Sequence, residues 1–224
     1  MKGTAARELS VAIGPTTLRG VLRHPLSARG MVLFAHGSGS GRLSPRNTYV
    51  AERLSEAGVA TFLFDLLTAE EEEIDSVTAG LRFDIPLLAN RLVVATVWTQ
   101  RHPELQDLAI GYFGASTGAA AALVAAARIP EIAAVVSRGG RPDLAGPALA
   151  DVRAPTLLIV GGNDPEVLAL NRSALEQLSC EARLEIVPYA THLFEEPGTL
   201  EQVASLAVDW FERYLGRSHR SPAA

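Results

Sequence analysis

Short apolar runs recur along this chain at regular intervals, separated by stretches in which apolar residues return every third or fourth position. The runs are MVLFAHG from Met31, VATFLFDLL from Val59, LAIGYF from Leu108, IAAVVS from Ile132, TLLIVGG from Thr156 and LEIVP from Leu184. A strand buried on both faces needs such a run, because both rows of side chains meet apolar layers. The intervening stretches read as helices. RNTYVAERLSEAG sets Tyr49, Val50, Leu54 and Ala57 at helical spacing, with Gly58 just past the end as a C-terminal cap signal. DIPLLANRLVVATVWTQ predicts a long amphipathic helix ending near His102-Pro103, and alanine-rich helix follows LAIGYFGAST. EQVASLAVDWFERYLG places Val203, Leu206, Ala207, Trp210, Phe211 and Tyr214 on one face.

Upstream, LSVAIG and TTLRGVLRHP flank Gly14-Pro15, which predicts a hairpin. The acidic EEEEID after the second apolar run reads as a solvated loop or a helix start. A short antiparallel opening followed by alternating strand and helix predicts an α/β fold, with a mostly parallel sheet covered by helices on both faces. We find no internal repeat and no linker. The expectation is one domain over residues 1–216 and a C-terminal tail over 217–224.

Composition narrows the function classes. The formal charge of −5 and the absence of a basic cluster argue against nucleic acid. The apolar stretches break off before the ~18 residues of a membrane span. A single cysteine, Cys180, forms no intramolecular disulfide, and the N-terminus lacks a signal-peptide h-region, so the expected location is cytoplasmic. No His/Cys/Asp grouping has zinc spacing, and GSGSG carries neither the Walker lysine nor a dinucleotide fingerprint, so no metal and no cofactor are expected. The sequence says nothing of oligomeric state.

The chemistry concentrates in GASTG, residues 114–118, which fits the G-x-S-x-G nucleophile elbow and has a strand before it and a helix after it. A serine at the tip of that turn requires small residues where the two backbones approach each other. The helix N-terminus then points its amides at the place where negative charge develops. The competing reading is a glycine-lined turn with an incidental serine.

The elbow architecture orders nucleophile, acid, histidine along the chain. Asp164 follows TLLIV and His192 follows LEIVP, each in a loop at a strand's carboxyl end, where the loops of a parallel sheet gather. Ser116, Asp164 and His192 are therefore the expected triad, with His192 as general base and Asp164 orienting its imidazole. Asp164 before Pro165 is equally a helix cap, and Asp143 is a rival acid. The expected oxyanion donors are the amides of Thr117 and of Ser38, with Gly39 as the alternative to Ser38. Arg138, near the active edge, is read either as a contact for a substrate carboxylate or phosphate or as half of a structural ion pair. The His36 side chain is expected to be structural, and Glu195 and Glu196 are given no role.

From VLFAHGSGSG through GYFGASTGAAAA and LLIVGGNDPEVL to ATHLFEEPGTLEQVA, the chain resembles the α/β-hydrolase superfamily and its dienelactone-hydrolase-like branch. The resemblance implies a three-layer fold around an eight-stranded, mainly parallel sheet, and the expected function is a serine hydrolase acting on a small-molecule ester or thioester, the alternatives being acyl transfer on the same triad or a non-catalytic accessory or binding module of the same fold. The short connection RGGRPDLAGPALADVRAP implies no large lid. Dienelactone hydrolases proper carry cysteine at the elbow, where this chain has Ser116. Relatives commonly have glycine before ATHLFEEPG, where this chain has Tyr189, read either as a wall of the substrate pocket or as an introduced change.

Overall fold

A computed structural model describes residues 4–14 and 16–216; Pro15 of the expected hairpin turn and the expected tail, 217–224, lie outside the described residues. The hairpin strands are β1 (Ala6–Ile13) and β2 (Thr16–Arg23). The six apolar runs become β3 (Met31–Ala35), β4 (Ala60–Phe64), β5 (Ile110–Ala115), β6 (Ala134–Arg138), β7 (Thr156–Gly161) and β8 (Ala182–Val187). Together they form one eight-stranded sheet in the order β1-β2-β4-β3-β5-β6-β7-β8. The β1–β2 and β2–β4 pairings are antiparallel and the others are parallel.

Strands β3 to β7 are buried along their whole length, as their unbroken apolar runs require. β8 closes the sheet as a partly exposed edge whose exposed positions are Arg183 and Ile186. Among the described residues, six α-helices connect and cover the strands: α1 (Pro45–Glu56), α2 (Ala69–Thr78), α3 (Ile85–Arg101), α4 (Thr117–Arg128), α5 (Pro165–Gln177) and α6 (Thr199–Leu215). One apolar layer joins the sheet to α3 and α4, and a second joins it to α1 and α6. The acidic stretch starts a helix: Thr68 and Glu71 form a reciprocal capping box at the head of α2.

Between β6 and β7, residues Pro142–Asp151 form a short 3₁₀ segment kinked at Gly146, and no lid domain stands there. Among the described residues, no helix is long and apolar enough to cross a membrane.

Candidate active site

The sheet order brings β3, β5, β6 and β7 side by side, so the loops leaving their carboxyl ends share one edge. Ser116 stands at the tip of the turn from β5 into α4 with φ 50° and ψ −121°, in the left-handed half of backbone space that an L-residue enters only at a cost. Neighbouring backbone holds it there. Its N–H donates to the Arg138 carbonyl at 3.3 Å, and its own carbonyl accepts from the amides of Ala119 and Arg141, both at 3.1 Å.

The two elbow glycines are steric requirements. A Cβ on Gly114 would overlap the backbone of Ala119, and one on Gly118 would overlap the carbonyl oxygens of Ala35 and His36. The packing that the small residues allow is therefore helix α4 pressed onto β3 and β5.

Asp164 and His192 meet on this edge. His192 Nδ1–H donates to Asp164 Oδ2 at 2.8 Å. The other carboxylate oxygen, Oδ1, accepts the Val167 amide at 3.4 Å and caps α5. The capping and acid readings of Asp164 thus describe one side chain. The rival Asp143 is engaged elsewhere, in a two-pronged contact with Arg141 at 2.9 and 2.8 Å.

The His192 ring lies over Gly139, the residue after the one that receives the Ser116 N–H: a Cβ there would stand 3.6 Å from His192 Cε1. Among the described residues, no hydrogen bond joins Ser116 Oγ to the imidazole.

The loop after β3 faces the elbow. Ser38 Oγ and Thr117 Oγ1 are 3.1 Å apart, which ties together the two residues whose amides are the expected oxyanion donors. Thr117 is the first residue of α4, so its N–H has no acceptor within the helix. Gly39 turns the loop at φ 65°. Ser38 and Thr117 both line an open cavity of about 660 Å³ that extends past Arg46, Leu66 and Glu72.

Asp65 and His36 brace this loop and Glu196 braces the histidine loop; of the three, only His36 was given a structural part by the sequence. Asp65 accepts from the Arg42 amide and from Arg42 Nη1, both at 2.8 Å. His36 accepts the Leu66 amide on Nε2 at 2.9 Å, and its Nδ1 donates to the Gly37 carbonyl at 3.0 Å. Burial holds the His36 pKa below its ordinary value, so the ring is a neutral strut, the structural part expected of it. Glu196 fastens the histidine loop, accepting from Thr191 N–H at 3.1 Å and Thr191 Oγ1–H at 2.6 Å. Only the spacing of Glu196 behind His192 hinted at this, and spacing alone does not separate a clamp from a solvated acid.

The two expected substrate contacts fare differently. Arg138 is the last residue of β6 and is buried, and among the described residues no carboxylate pairs with it. The ion-pair alternative for Arg138 is therefore set aside. Tyr189 is 80% exposed, outside the cavity lining, at φ 63°. Its carbonyl accepts from Asn163 Nδ2 at 2.9 Å. A positive φ of this size is one that glycine adopts without strain and tyrosine does not. Among the described residues, no cluster of three or more His, Cys, Asp or Glu side chains has the form of a metal site.

The sheet order, the strained turn at the end of β5 and the loops gathered around it define the α/β-hydrolase class. The sequence profile of the dienelactone hydrolase family matches residues 18–215, and the chain belongs to that family. It is 61% identical to a dienelactone hydrolase from Anabaena variabilis ATCC 29413, whose crystal structure superposes with a TM-score of 0.93 over 96% of this chain and 100% of that one. Est1E from Butyrivibrio proteoclasticus shares the fold at 15% identity, with a TM-score of 0.77 over 96% of this chain and 100% of that chain.

Two curated proteins of Mycobacterium tuberculosis, strains CDC 1551 / Oshkosh and ATCC 25618 / H37Rv, are 58% identical over 210 residues and are provisionally named phosphoribosyl transferases. The match takes in 93% of this chain and 46% of theirs, so the chain spans about half the length of these relatives. Family and fold together support a hydrolase.

Proposed function

We propose that this protein is a serine hydrolase that cleaves an ester or thioester of a small molecule through an acyl-enzyme. The observation that carries the reading is Ser116 held at φ 50° on the elbow, with the hydrogen-bonded His192–Asp164 pair against the adjoining Gly139. Ser116 Oγ attacks the carbonyl carbon while His192 Nε2 takes its proton, and the imidazolium then returns that proton to the leaving alcohol or thiol. Asp164 holds the ring with Nε2 toward the serine. The amides of Thr117 and Ser38 receive the charge on the tetrahedral oxygen, and removing one such donor typically costs ~3 kcal/mol of barrier stabilisation. In the second half His192 takes a proton from water, whose oxygen attacks the acyl carbon; the bond to Ser116 Oγ breaks and the proton returns to Oγ. The activity resides in a single domain, and the lone half-buried cysteine favours a reducing, cytoplasmic setting.

A second reading is an accessory role within a larger protein, favoured by the match to about half of the two mycobacterial relatives. Steady-state hydrolysis of p-nitrophenyl esters by wild type and Ser116→Ala separates the two. The hydrolase reading requires turnover that disappears in the variant.

A further inference from the structure

The cavity beside the oxyanion loop reaches the nucleophile without reaching the base. Gly37 lines it and packs on the elbow, where a Cβ would stand 3.0 Å from Ser116 Cβ. Ser38 and Thr117, the expected oxyanion donors, are in its wall, whereas His192 and its loop are not. A leaving group must stay beside His192, which returns its proton. The part of an ester that enters the cavity is therefore the acyl part, and Leu66, Leu67 and Leu88 offer its methylenes an apolar surface.

The charges around that surface are unequal. Arg42 is held by Asp65, which accepts from its amide and from its Nη1, both at 2.8 Å. Arg82 is held by Asp75: Oδ2 accepts from Arg82 Nε at 2.7 Å, and Oδ1 accepts from the Arg82 amide at 2.9 Å. Arg46 turns to Glu195, outside the lining, at 3.3 Å. Each guanidinium of the wall thus has its own carboxylate, and Arg138, the buried arginine of β6, does not line the cavity.

Glu72 is the carboxylate left over. It stands three positions before Asp75 and four before Ser76 on α2, which puts all three on the helix face that lines the cavity. Its side chain is exposed there, and among the described residues it makes neither an ion pair nor a hydrogen bond. Burial and then the Asp65 charge lift the Glu72 pKa; Arg42 pulls it down, and Asp75 adds a last push upward. Its surroundings already resist one negative charge and would resist a second.

We propose that Glu72 determines specificity by turning away esters with an anionic acyl group and drawing in those with a cationic one. The inference rests on the serine hydrolase reading and adds a substrate class to it. A carboxylate at the far end of the acyl chain meets Glu72 with no free guanidinium to offset it, so discrimination comes from repulsion. An ammonium group meets Glu72 as its counter-charge.

The test compares three p-nitrophenyl esters at pH 8: mono-p-nitrophenyl adipate, its methyl ester and p-nitrophenyl 6-(trimethylammonio)hexanoate. Wild-type kcat/KM is expected to rank cationic above neutral above anionic, with about tenfold between the ends. Glu72→Gln should level the series and Glu72→Lys should reverse it. Glu176→Gln, an exposed substitution on α5 with the same change in net charge, should leave the ranking in place.

The wild-type ranking needs no variant, so a misfolded Glu72 variant does not protect the proposal. A wild type that hydrolyses all three esters equally, or favours the anionic one, overturns it. A ranking that survives in both folded Glu72 variants overturns it as well. Turnover of none of the three overturns the hydrolase reading, and the specificity falls with it.

Discussion

Asp164 holds His192 and α5 with separate oxygens: Oδ2 accepts the imidazole Nδ1–H at 2.8 Å, and Oδ1 accepts the Val167 amide at 3.4 Å. The proposed catalytic part and helix capping therefore fall on one carboxylate, and substitutions can pull them apart. Asp164→Asn keeps an oxygen for the cap but gives the imidazole the wrong partner. It should lower kcat by ~10³–10⁴-fold and leave stability within ~0.5 kcal/mol of wild type. Asp164→Ala should lose the same activity and about 1 kcal/mol besides. Ester kinetics and urea unfolding on the same preparations check both halves.

Gly118 packs against the carbonyls of Ala35 and His36 with no room for a methyl group. Gly118→Ala must push α4 off β3, at a cost of ~3 kcal/mol, and should carry the elbow with it. The expected result is a lower urea midpoint together with slower ester turnover. An exposed helical site such as Ala69→Gly should show neither at that scale.

Tyr189 occupies the left-handed region with its ring in solvent, so it has strain to lose and little packing to give up. Tyr189→Gly should raise stability by about 1 kcal/mol, whereas Tyr189→Ala, which keeps the Cβ, should change it little. Thermal unfolding of the three proteins distinguishes relief of backbone strain from removal of the ring.

His36 sets a pH dependence of known sign. Burial lowers its folded pKa below the ordinary 6.5, so the unfolded chain takes up the proton first as pH falls. The stability that this histidine contributes is complete above 6.5 and is lost progressively as pH drops toward the folded value. His36→Gln retains an acceptor for the Leu66 amide and removes the titration. Its unfolding free energy should vary less with pH below 6.5 than that of wild type.

Much of this was legible in the sequence because it depends on local pattern. Six apolar runs became six strands, and Ser116, Asp164 and His192 each follow their own strand, so knowing that a parallel sheet gathers its strand ends was enough to bring their loops to one edge. The remainder depends on which strands become neighbours. β4 lies on the far side of β3 from the elbow, and only that order puts Asp65 against Arg42 and Leu66 against His36. The strain at Tyr189 is a backbone angle, invisible in residue type because tyrosine gives no sign of a left-handed turn.

The central claim is an activated Ser116, and labelling with a fluorophosphonate probe followed by peptide mass spectrometry tests it most directly. The expected result is one adduct on Ser116, absent in Ser116→Ala and strongly diminished in His192→Ala. No adduct from folded protein, or equal labelling of Ser116→Ala, would contradict it.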